Sequence, residues 1–397
     1  MQSFEYYSPT KIFFGKDAHS KIGATLRDLG AKKVLLHYGG GSAEKSGVLA
    51  RVRASLEDAG VNHIELGGAK PNPELGLVKK GVRLCVDEGV DFLLAVGGGS
   101  AIDSAKAVAL GLSDLSIDIW DYFEGKAAAD CRVPVAAVLT IAAAGSETSN
   151  SCVITNEALG LKRGVRNESL RPLAAFLDPS TLSSLPAYQR GAGIVDIYMH
   201  TVERYFSRVP GGALTDRFGE SVLKTTREFA QRFLNDPSDY EAASEIMWCS
   251  TMSHINLTGL GGVWDGAVHS LSQEISALYG ATHGAALSAV WGAWAEQVLP
   301  GNPKRFLEYA RRAWDIGGDG LSDEEIARLG IKRTVEFFAS AGMPTSLEEL
   351  VGHALSEEEI QKLTKMCSRG GAFVIGNMTK LGERDMYEIY SRAGKKR

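Results

Sequence analysis

The residues best able to do chemistry in this chain are one aspartate and three of its eight histidines. Asp196 and His200 are four positions apart, and residues i and i+4 share one face of an α-helix. A helix here would therefore present a carboxylate and an imidazole together. Three neutral imidazoles and one carboxylate would hold a divalent cation with a net local charge near plus one, able to polarise a substrate oxygen. The sequence predicts a metal centre formed by Asp196, His200, His269 and His283.

The second histidine pair needs a break in the helix to come together. His269 and His283 are fourteen residues apart, and Gly280 and Gly284 suggest that one helix ends and a second begins near His283. Such a break returns His283 towards His269. A single histidine on an apolar helix is more often a hydrogen-bonded core residue than a ligand, so the prediction depends on all four residues together.

The overall composition excludes several classes of protein. Hydrophobic residues make up 44% of the 397-residue chain and charged residues 23%, as in soluble globular proteins. Lys and Arg number 43 against 48 for Asp and Glu, which lacks the excess positive charge of a nucleic-acid-binding protein. The five cysteines show no Cys-x-x-Cys spacing, and no secretory or membrane-spanning pattern is present. We expect a cytoplasmic protein without a nucleic-acid or membrane partner.

Short β-rich runs alternate with amphipathic stretches in the first half of the chain. The apolar runs KKVLLHY, VNHIEL, VDFLLAV and VPVAAVLT predict parallel strands, with helices over 42–59, 73–88 and 100–112. After Pro186 the β-rich runs nearly vanish. We therefore predict a Rossmann-like α/β dinucleotide-binding domain over 1–184 and an all-helical domain over 185–397, which carries the metal ligands and the substrate site.

Two glycine runs each follow a predicted strand and precede a predicted helix, at 39–42 and 97–100. Glycine lets the backbone approach a diphosphate closely, and free amides at the start of the next helix attract its charge. Neither run fits G-x-G-x-x-G, and two tight turns without a ligand are the alternative. Three residues after the second run, Asp103 could cap helix amides or hydrogen-bond a ribose or amide group of a cofactor.

The first glycine run also predicts the cofactor preference. Selectivity for NAD usually needs a carboxylate at the strand end that meets the adenine ribose. Here no carboxylate occurs before Glu44, whereas Ser42 and Lys45 offer room and donors for a 2′-phosphate. We therefore expect NADPH to be preferred over NADH.

Several motifs taken together resemble the iron-containing, group III alcohol dehydrogenases. They are Gly-Gly-Gly-Ser-Ala-Ile-Asp-Ser-Ala-Lys at 97–106, Ala-Gly-Ser-Glu at 144–147, Leu-Asp-Pro-Ser at 177–180 and the four predicted ligands. Within that family the chain is most similar to the NAD(P)H-dependent butanol dehydrogenase and broad-range aldehyde reductase branch. The opening PTKIFFGK, the YGGGS loop and the DIWDYF segment also match, so the resemblance covers nearly the whole chain.

The resemblance implies a dehydroquinate synthase-like architecture, with nicotinamide and metal in a cleft between two domains, in a cytosolic homodimer. It also implies the same four metal ligands. The cofactor contacts that it implies are Gly39, Gly40, Ser42, Gly98, Gly99, Ser100, Asp103, Thr140, Ser146 and Lys162.

Two positions depart from the family pattern. Ala144 replaces a threonine in the usual Thr-Gly-Ser-Glu stretch, which removes a hydroxyl near the cofactor. Gln273 stands four residues after His269, where many members have a further histidine near the nicotinamide. Glutamine cannot titrate, so the proton must travel through water, a ribose hydroxyl or another group. Asp103, His269 and Gln273 are the residues that we expect at the reacting centre.

The expected reaction is reversible hydride transfer between NADPH and a small aldehyde, with Fe(II) or Zn(II) polarising the carbonyl oxygen. Ligand softness does not separate the two metals.

A dehydroquinate synthase-like lyase is one alternative, although the segments around the ligands contain only Arg204 to bind a polyanion. A catalytically impaired nucleotide- or metal-binding homologue is the other. Trp120, Tyr122, Phe123 and Trp264 could line a substrate pocket or belong to the core, and the natural substrate stays open.

Overall fold

The computed structural model describes residues 1–128, 130–318 and 320–395. The chain forms two compact units. The α/β unit contains Tyr7–Leu185 and Asp236–Ile255, and the helical unit contains Met1–Tyr6, Pro186–Asn235 and the chain from Asn256 onward. Among the described residues, no helix has both the length and the apolar character needed to cross a lipid bilayer.

A parallel sheet of six strands forms the centre of the α/β unit. Its strands are β1 (Lys11–Phe14), β2 (Lys33–Tyr38), β3 (Asn62–Leu66), β4 (Phe92–Gly97), β5 (Val135–Leu139) and β8 (Ala174–Leu177), in the spatial order β1-β8-β5-β4-β2-β3. A separate antiparallel hairpin pairs β6 (Ser151–Asn156) with β7 (Leu161–Arg166). Every residue of β4, β5 and β8 is buried, because these apolar strands are covered on both faces.

Helices alternate with the strands in the first part of the α/β unit, as expected, and one later helix also belongs to this unit. They are α1 (Ile22–Asp28), α2 (Ser42–Lys45), α3 (Val48–Asp58), α4 (Leu75–Glu88), α5 (Gly99–Gly111), α6 (Ile119–Phe123) and α9 (Tyr240–His254), with 3₁₀ helices at Ala18–Lys21, Ser146–Thr148, Glu168–Leu170 and Pro179–Ser184. The helix expected over 42–59 is instead two helices, because Gly47 adopts a left-handed φ of 73° between them.

The helical unit is built around α7 (Ala187–Tyr205), α10 (Ala267–Tyr279) and α11 (His283–Val298). Trp291 and Trp294 of α11 and Tyr198 of α7 are fully buried in one hydrophobic core. The other helices are α8 (Ala213–Asn235), α12 (Pro303–Ala313), α13 (Asp323–Ser340), α14 (Leu347–Val351), α15 (Glu357–Ser368) and α16 (Glu383–Ala393), with 3₁₀ helices at Leu257–Gly259 and Leu299–Gly301.

The observed division differs from the expected 1–184 and 185–397 in two segments. Helix α9 groups with the α/β unit, and Met1–Tyr6 groups with the helical unit. The physical reason for the first difference lies in two side chains of α9. Thr251 donates to the buried carboxylate of Glu147 at 2.7 Å, and the Ser250 hydroxyl accepts from the Ala143 amide at 2.9 Å. Helical periodicity carries no information about such contacts, so a boundary drawn from composition does not distinguish α9 from the other helices of the second half.

Candidate metal centre and cofactor loops

Helix α7 presents the first two predicted ligands on one face. Asp196 and His200 are both buried, and the Oδ1 atom of Asp196 lies 3.4 Å from Nε2 of His200. Their four-residue spacing brings them together on adjacent turns. The helical pairing expected from the sequence is therefore observed.

The other two ligands come together at the junction of α10 and α11. Gly280 ends α10 with a left-handed φ of 66°, and α11 begins at His283. A Cβ atom on Gly284 would lie 2.0 Å from the carbonyl oxygen of Ala192, so only glycine allows α11 to approach α7 this closely. This approach leaves Nε2 of His283 3.8 Å from Oδ1 of Asp196. The break predicted from the glycines is confirmed.

All four predicted ligands form one cluster. Each offers one ligand atom, and these atoms lie within 4.8 Å of one another. The His200 and His269 ring centroids are 4.4 Å apart, and those of His269 and His283 are 5.2 Å apart. Across residues 1–128, 130–318 and 320–395 this is the only group of three or more such donors with metal-binding spacing.

The donor set fits a divalent transition-metal ion. Metal–ligand distances of about 2.1 Å keep any two ligands within about 4.2 Å, so small side-chain movements would complete the coordination sphere. The Nε2 atom of His269 is buried and has no hydrogen-bond partner among the described residues. A buried ring nitrogen without a partner is costly unless a ligand binds it. One carboxylate and three imidazoles suit Fe(II) or Zn(II).

Two further residues contact this cluster. Glu203, three residues after His200 on α7, is buried and accepts a hydrogen bond from Nδ1 of His269. The indole of Trp264 packs edge-on against His269, with ring centroids 5.6 Å apart. Sequence reasoning missed Glu203, although its i+3 spacing from His200 places it on the same face of α7 and could have indicated it.

The predicted cofactor loops lie along one edge of the parallel sheet. Gly39 and Gly40 follow β2, Gly98 is the N-cap of α5 after β4, and Thr140 follows β5. Carboxyl ends of parallel strands meet at the same edge, where open α/β sheets bind their ligands. The amide of Thr140 donates to the carbonyl of Gly97 at 3.0 Å, which joins two of these loops. Gly99 and Ser100 form the first turn of α5, and Ser42 begins α2.

Asp103 and Ser146 are in direct contact in the α/β unit. The hydroxyl of Ser146 donates to Oδ1 of Asp103 at 2.5 Å, and the amide of Val153 donates to Oδ2 at 3.0 Å. Both partners lie outside α5, so these bonds do not cap its helix. Burial raises the pKa of Asp103, while the nearby Lys106 ammonium opposes that rise.

The buried Lys106 ammonium is the polar group that sequence reasoning overlooked in this unit. It donates to the carbonyl oxygens of Ser146, Ser149 and Ser151 at 2.6, 2.8 and 3.0 Å. Burial lowers its pKa to about 8, although Asp103 acts in the opposite direction. Three backbone carbonyls converge on one ammonium, so Lys106 holds the backbone that carries Ser146 in place.

Carboxylates near the first glycine run are already paired. Arg53 donates to Glu65 at 2.7 Å and to Glu44 at 2.8 Å, and the hydroxyl of Tyr38 donates to Glu65 at 3.0 Å. Neither carboxylate is therefore unpaired and ready to accept from a ribose hydroxyl. Ser42 and Lys45 are exposed beside the same run.

The remaining predicted residues lie on separate elements. Lys162 of β7 is buried and donates to the side chain of Asn72 at 2.9 Å. Gln273 is partly buried on α10, one turn after His269. Of the four aromatic candidates, Trp120, Tyr122 and Phe123 are buried in α6 of the α/β unit, whereas Trp264 contacts His269 of the metal-ligand cluster.

A parallel sheet with glycine loops at its carboxyl edge, together with a largely buried cluster of three histidines and one aspartate, is typical of metal-dependent enzymes that bind a dinucleotide. The family model "Iron-containing alcohol dehydrogenase" matches residues 9–179, and "Fe-containing alcohol dehydrogenase family, C-terminal" matches residues 191–394. The chain belongs to the iron-containing alcohol dehydrogenase family.

Relatives and solved structures match along nearly the whole chain. NADH-dependent butanol dehydrogenase A of Clostridium acetobutylicum is 35% identical over 99% of this chain and 100% of its own. The NADPH-dependent aldehyde reductase YqhD of Escherichia coli is 34% identical over 96% of both chains. The crystal structure of NADH-dependent butanol dehydrogenase A from Thermotoga maritima superposes with a TM-score of 0.94 at 35% identity, covering 100% of this chain and 99% of that one.

Proposed function

We propose that this protein reduces small aldehydes to alcohols, reversibly, with NADPH as the preferred hydride donor and a divalent cation bound by Asp196, His200, His269 and His283. Family membership makes the protein an NAD(P)-dependent alcohol dehydrogenase that uses a divalent metal. The observation that carries the proposal is the convergence of four ligand atoms within 4.8 Å of one another.

The four ligands determine the charge of the proposed centre. Asp196 contributes the single negative charge, and the three imidazoles are neutral when they ligate, so the loaded centre has a net charge near plus one. A divalent cation supplies Lewis-acid polarisation of the aldehyde carbonyl when bound, and NADPH supplies the hydride. Burial of Asp196, His200 and His269 removes competing water and strengthens these electrostatic interactions.

Preference for NADPH is supported by the charges around the first glycine run. Arg53 engages both Glu44 and Glu65, so neither carboxylate is unpaired to recognise a ribose hydroxyl or repel a 2′-phosphate. Ser42 and Lys45 are exposed and can donate to that phosphate. Similar relatives use either cofactor by name, NADH in butanol dehydrogenase A and NADPH in YqhD, so the preference must be measured.

The proposed substrates are small aldehydes with an apolar chain. Trp264 contacts His269 edge-on and would offer an apolar surface to a substrate held at the cluster. A polyanionic substrate, as in the lyase alternative, lacks support because the Arg204 guanidinium donates to the backbone carbonyl of His200. The names of the relatives do not favour that alternative.

Asp103 and Gln273 are proposed to act beside the reacting groups. Asp103, with Ser146 and Lys162, would contact the cofactor. Gln273 cannot exchange a proton at neutral pH, so we propose that the substrate proton moves through water or a ribose hydroxyl.

We also propose that the protein is a homodimer in solution, which light scattering after gel filtration tests.

The test combines metal analysis with an aldehyde panel. Protein stripped with a chelator should consume no NADPH with butanal or longer aldehydes, and one equivalent of Fe(II) or Zn(II) should restore turnover. We expect kcat/KM to be at least about tenfold higher with NADPH than with NADH, as one lost charged contact predicts. Turnover that survives complete metal removal would contradict the proposed centre, and a larger kcat/KM with NADH would contradict the cofactor preference alone.

A further inference from the structure

Glu203 lies beside the metal-ligand cluster with its side chain fully buried. Its carboxylate accepts hydrogen bonds from backbone amides and also from an imidazole ring. Its Oε1 atom accepts from the amide of Val268 at 2.7 Å and from the amide of His269 at 3.3 Å. Its Oε2 atom accepts from Nδ1 of the His269 ring. One carboxylate therefore binds both the backbone and the side chain of the same proposed ligand.

This arrangement selects the form of the His269 ring. An ionised carboxylate only accepts hydrogen bonds, so Nδ1 of His269 must carry the ring proton. The neutral ring then has an unprotonated Nε2, which belongs to the four-residue cluster and has no hydrogen-bond partner among the described residues. Only that nitrogen can bind a cation. The opposite tautomer would direct an N–H at the cation and prevent binding.

Capping of α10 does not account for Glu203 by itself. Asp265 already accepts from the amide of Ala267 at the start of that helix, and it also accepts from Asn377 and Met378. Glu203 adds two more amides of the first turn through Oε1 alone. Its second oxygen is directed at the imidazole, so the contact with the ring is additional to the cap.

We propose that Glu203 is a positioning residue for the metal centre: it holds His269 in the Nδ1–H tautomer and in the orientation that presents Nε2 to the cation. This inference rests on the proposed function, because it requires His269 to be a ligand. Glu203 also brings a second carboxylate to the centre beside Asp196. Two carboxylates and one divalent cation leave the buried assembly close to neutral, which lowers the cost of burying its charges.

The Glu203→Gln variant tests this role while keeping the size of the side chain. Oε1 receives two amide hydrogens, so the glutamine oxygen must remain there. The glutamine NH₂ group then faces Nδ1 of His269 and favours the tautomer that cannot bind a cation. Zn²⁺ is the probe, and its affinity is measured by competition with a chromophoric chelator in the absence of cofactor and substrate.

We expect one Zn²⁺ per wild-type chain and about 10- to 100-fold weaker binding to Glu203→Gln, as for other residues that orient metal ligands. Asp265→Asn is the matched control, since Asp265 is a buried carboxylate that caps the same helix without contacting the ring, and its affinity should stay within about threefold of wild type. In a His269→Ala background, Glu203→Gln should weaken Zn²⁺ binding clearly less than it does in the wild type, because only the contribution of the carboxylate charge is then left to lose. The inference is overturned if wild type and Glu203→Gln bind Zn²⁺ with equal affinity. It is also overturned if Asp265→Asn loses as much affinity as Glu203→Gln, or if the losses in the double variant are additive.

A second measurement uses the wild-type protein and so does not depend on whether Glu203→Gln folds. Long-range ¹H–¹⁵N spectra of the metal-free wild-type protein report the tautomer of each histidine, and His269→Ala identifies the His269 signals. We expect a protonated Nδ1 and an unprotonated Nε2, and the opposite pattern overturns the inference. A wild-type protein that binds no Zn²⁺ would instead remove the metal centre itself, so failure of the proposed function is distinguished from failure of the Glu203 role.

Discussion

Two buried polar centres, one around His269 in the helical unit and one around Lys106 in the α/β unit, differ in whether the chain itself supplies all their partners. In the helical unit, the cluster around His269 leaves a buried ring nitrogen without a hydrogen-bond partner among the described residues. In the α/β unit, the ammonium of Lys106 is surrounded by three carbonyl oxygens and two hydroxyls. The first centre therefore has a donor atom available to an external ligand, whereas the partners of the Lys106 ammonium all come from the chain.

This difference indicates that the His269 centre serves ligand binding, whereas the Lys106 centre stabilises the fold. A buried polar group whose partners are all supplied by the chain stabilises the fold, and breaking such a network is costly. A buried group that lacks a partner reduces stability until a ligand binds it. We therefore expect substitutions at His269 to affect chemistry more than folding, and substitutions at Lys106 to affect folding first. Four predictions test this contrast, from the largest expected effect to the smallest.

His269→Ala should lower kcat/KM for aldehyde reduction by roughly 10⁴-fold, since one ligand and the orientation of the metal are lost together. The dissociation constant of NADPH, measured by fluorescence titration, should stay within a few fold of wild type. His353→Ala is the matched control, because His353 is exposed and lies outside the cluster. Retained turnover in His269→Ala would remove this residue from the site.

Lys106→Met should lower the free energy of unfolding by about 3–5 kcal/mol, because it leaves several buried carbonyl oxygens and Asp103 without their cationic partner. Denaturant titration measures the change. The control is Lys70→Met, whose exposed ammonium pairs with Glu74 four residues later, and which should change stability by less than about 0.5 kcal/mol. Equal stability of Lys106→Met and wild type would show that the Lys106 centre does not support the fold.

His37 is a buried imidazole outside any ligand cluster of the described residues. We expect it to make the free energy of unfolding depend on pH. Its Nδ1 donates to the carbonyl of Leu66 at 2.8 Å, and burial lowers its pKa from 6.5 to about 4. As pH falls from 6.5 towards 4, the unfolded chain gains a proton at His37 that the folded chain does not bind. Stability present above pH 6.5 is therefore lost across this window.

The measurement is the difference in free energy of unfolding between metal-free wild type and His37→Phe at several pH values. We expect this difference to shift against wild type by on the order of 3 kcal/mol between neutral pH and pH 4. A difference that does not change with pH would show that His37 titrates alike in both states.

Lys45→Gln should have the smallest effect, because Lys45 is exposed and solvent weakens its interactions. We expect KM for NADPH to rise about fivefold and KM for NADH to change by less than about twofold, a difference of about 1 kcal/mol. Steady-state kinetics with each cofactor measure this. A parallel rise for both cofactors would place Lys45 away from the 2′-phosphate and weaken the proposed NADPH preference.

Local patterns in the sequence predicted most of the elements that carry the site. Four parallel strands and the helices after them follow from apolar runs and helical periodicity, and Gly280 marks the end of α10 as expected. The runs that form β1, the β6–β7 hairpin and β8 were not predicted. These strands are short or partly polar, and their pairing involves residues far away in the chain, as for β1 with β8.

The site likewise combines features set by short spacings in the sequence with features set by contacts between distant residues. The i+4 spacing of Asp196 and His200 determines that both lie on one helical face, and residue chemistry alone makes them candidate ligands. The pairing of Lys106 with the Ser146–Ser151 backbone was invisible in the sequence, because it joins residues about forty positions apart. The departure at Gln273 was visible, but its consequence for the proton path stays a prediction.

The sequence by itself determined the family, the parallel sheet, the helical second half and the identity of the four candidate ligands, because these depend on residue types and short spacings. The tertiary structure decided that α9 belongs to the α/β unit, that α11 approaches α7 closely enough to bring His283 beside Asp196, and that Glu203 accepts from the ring of His269. Those outcomes depend on contacts between distant segments, which packing and hydrogen bonding select only when the whole chain has folded.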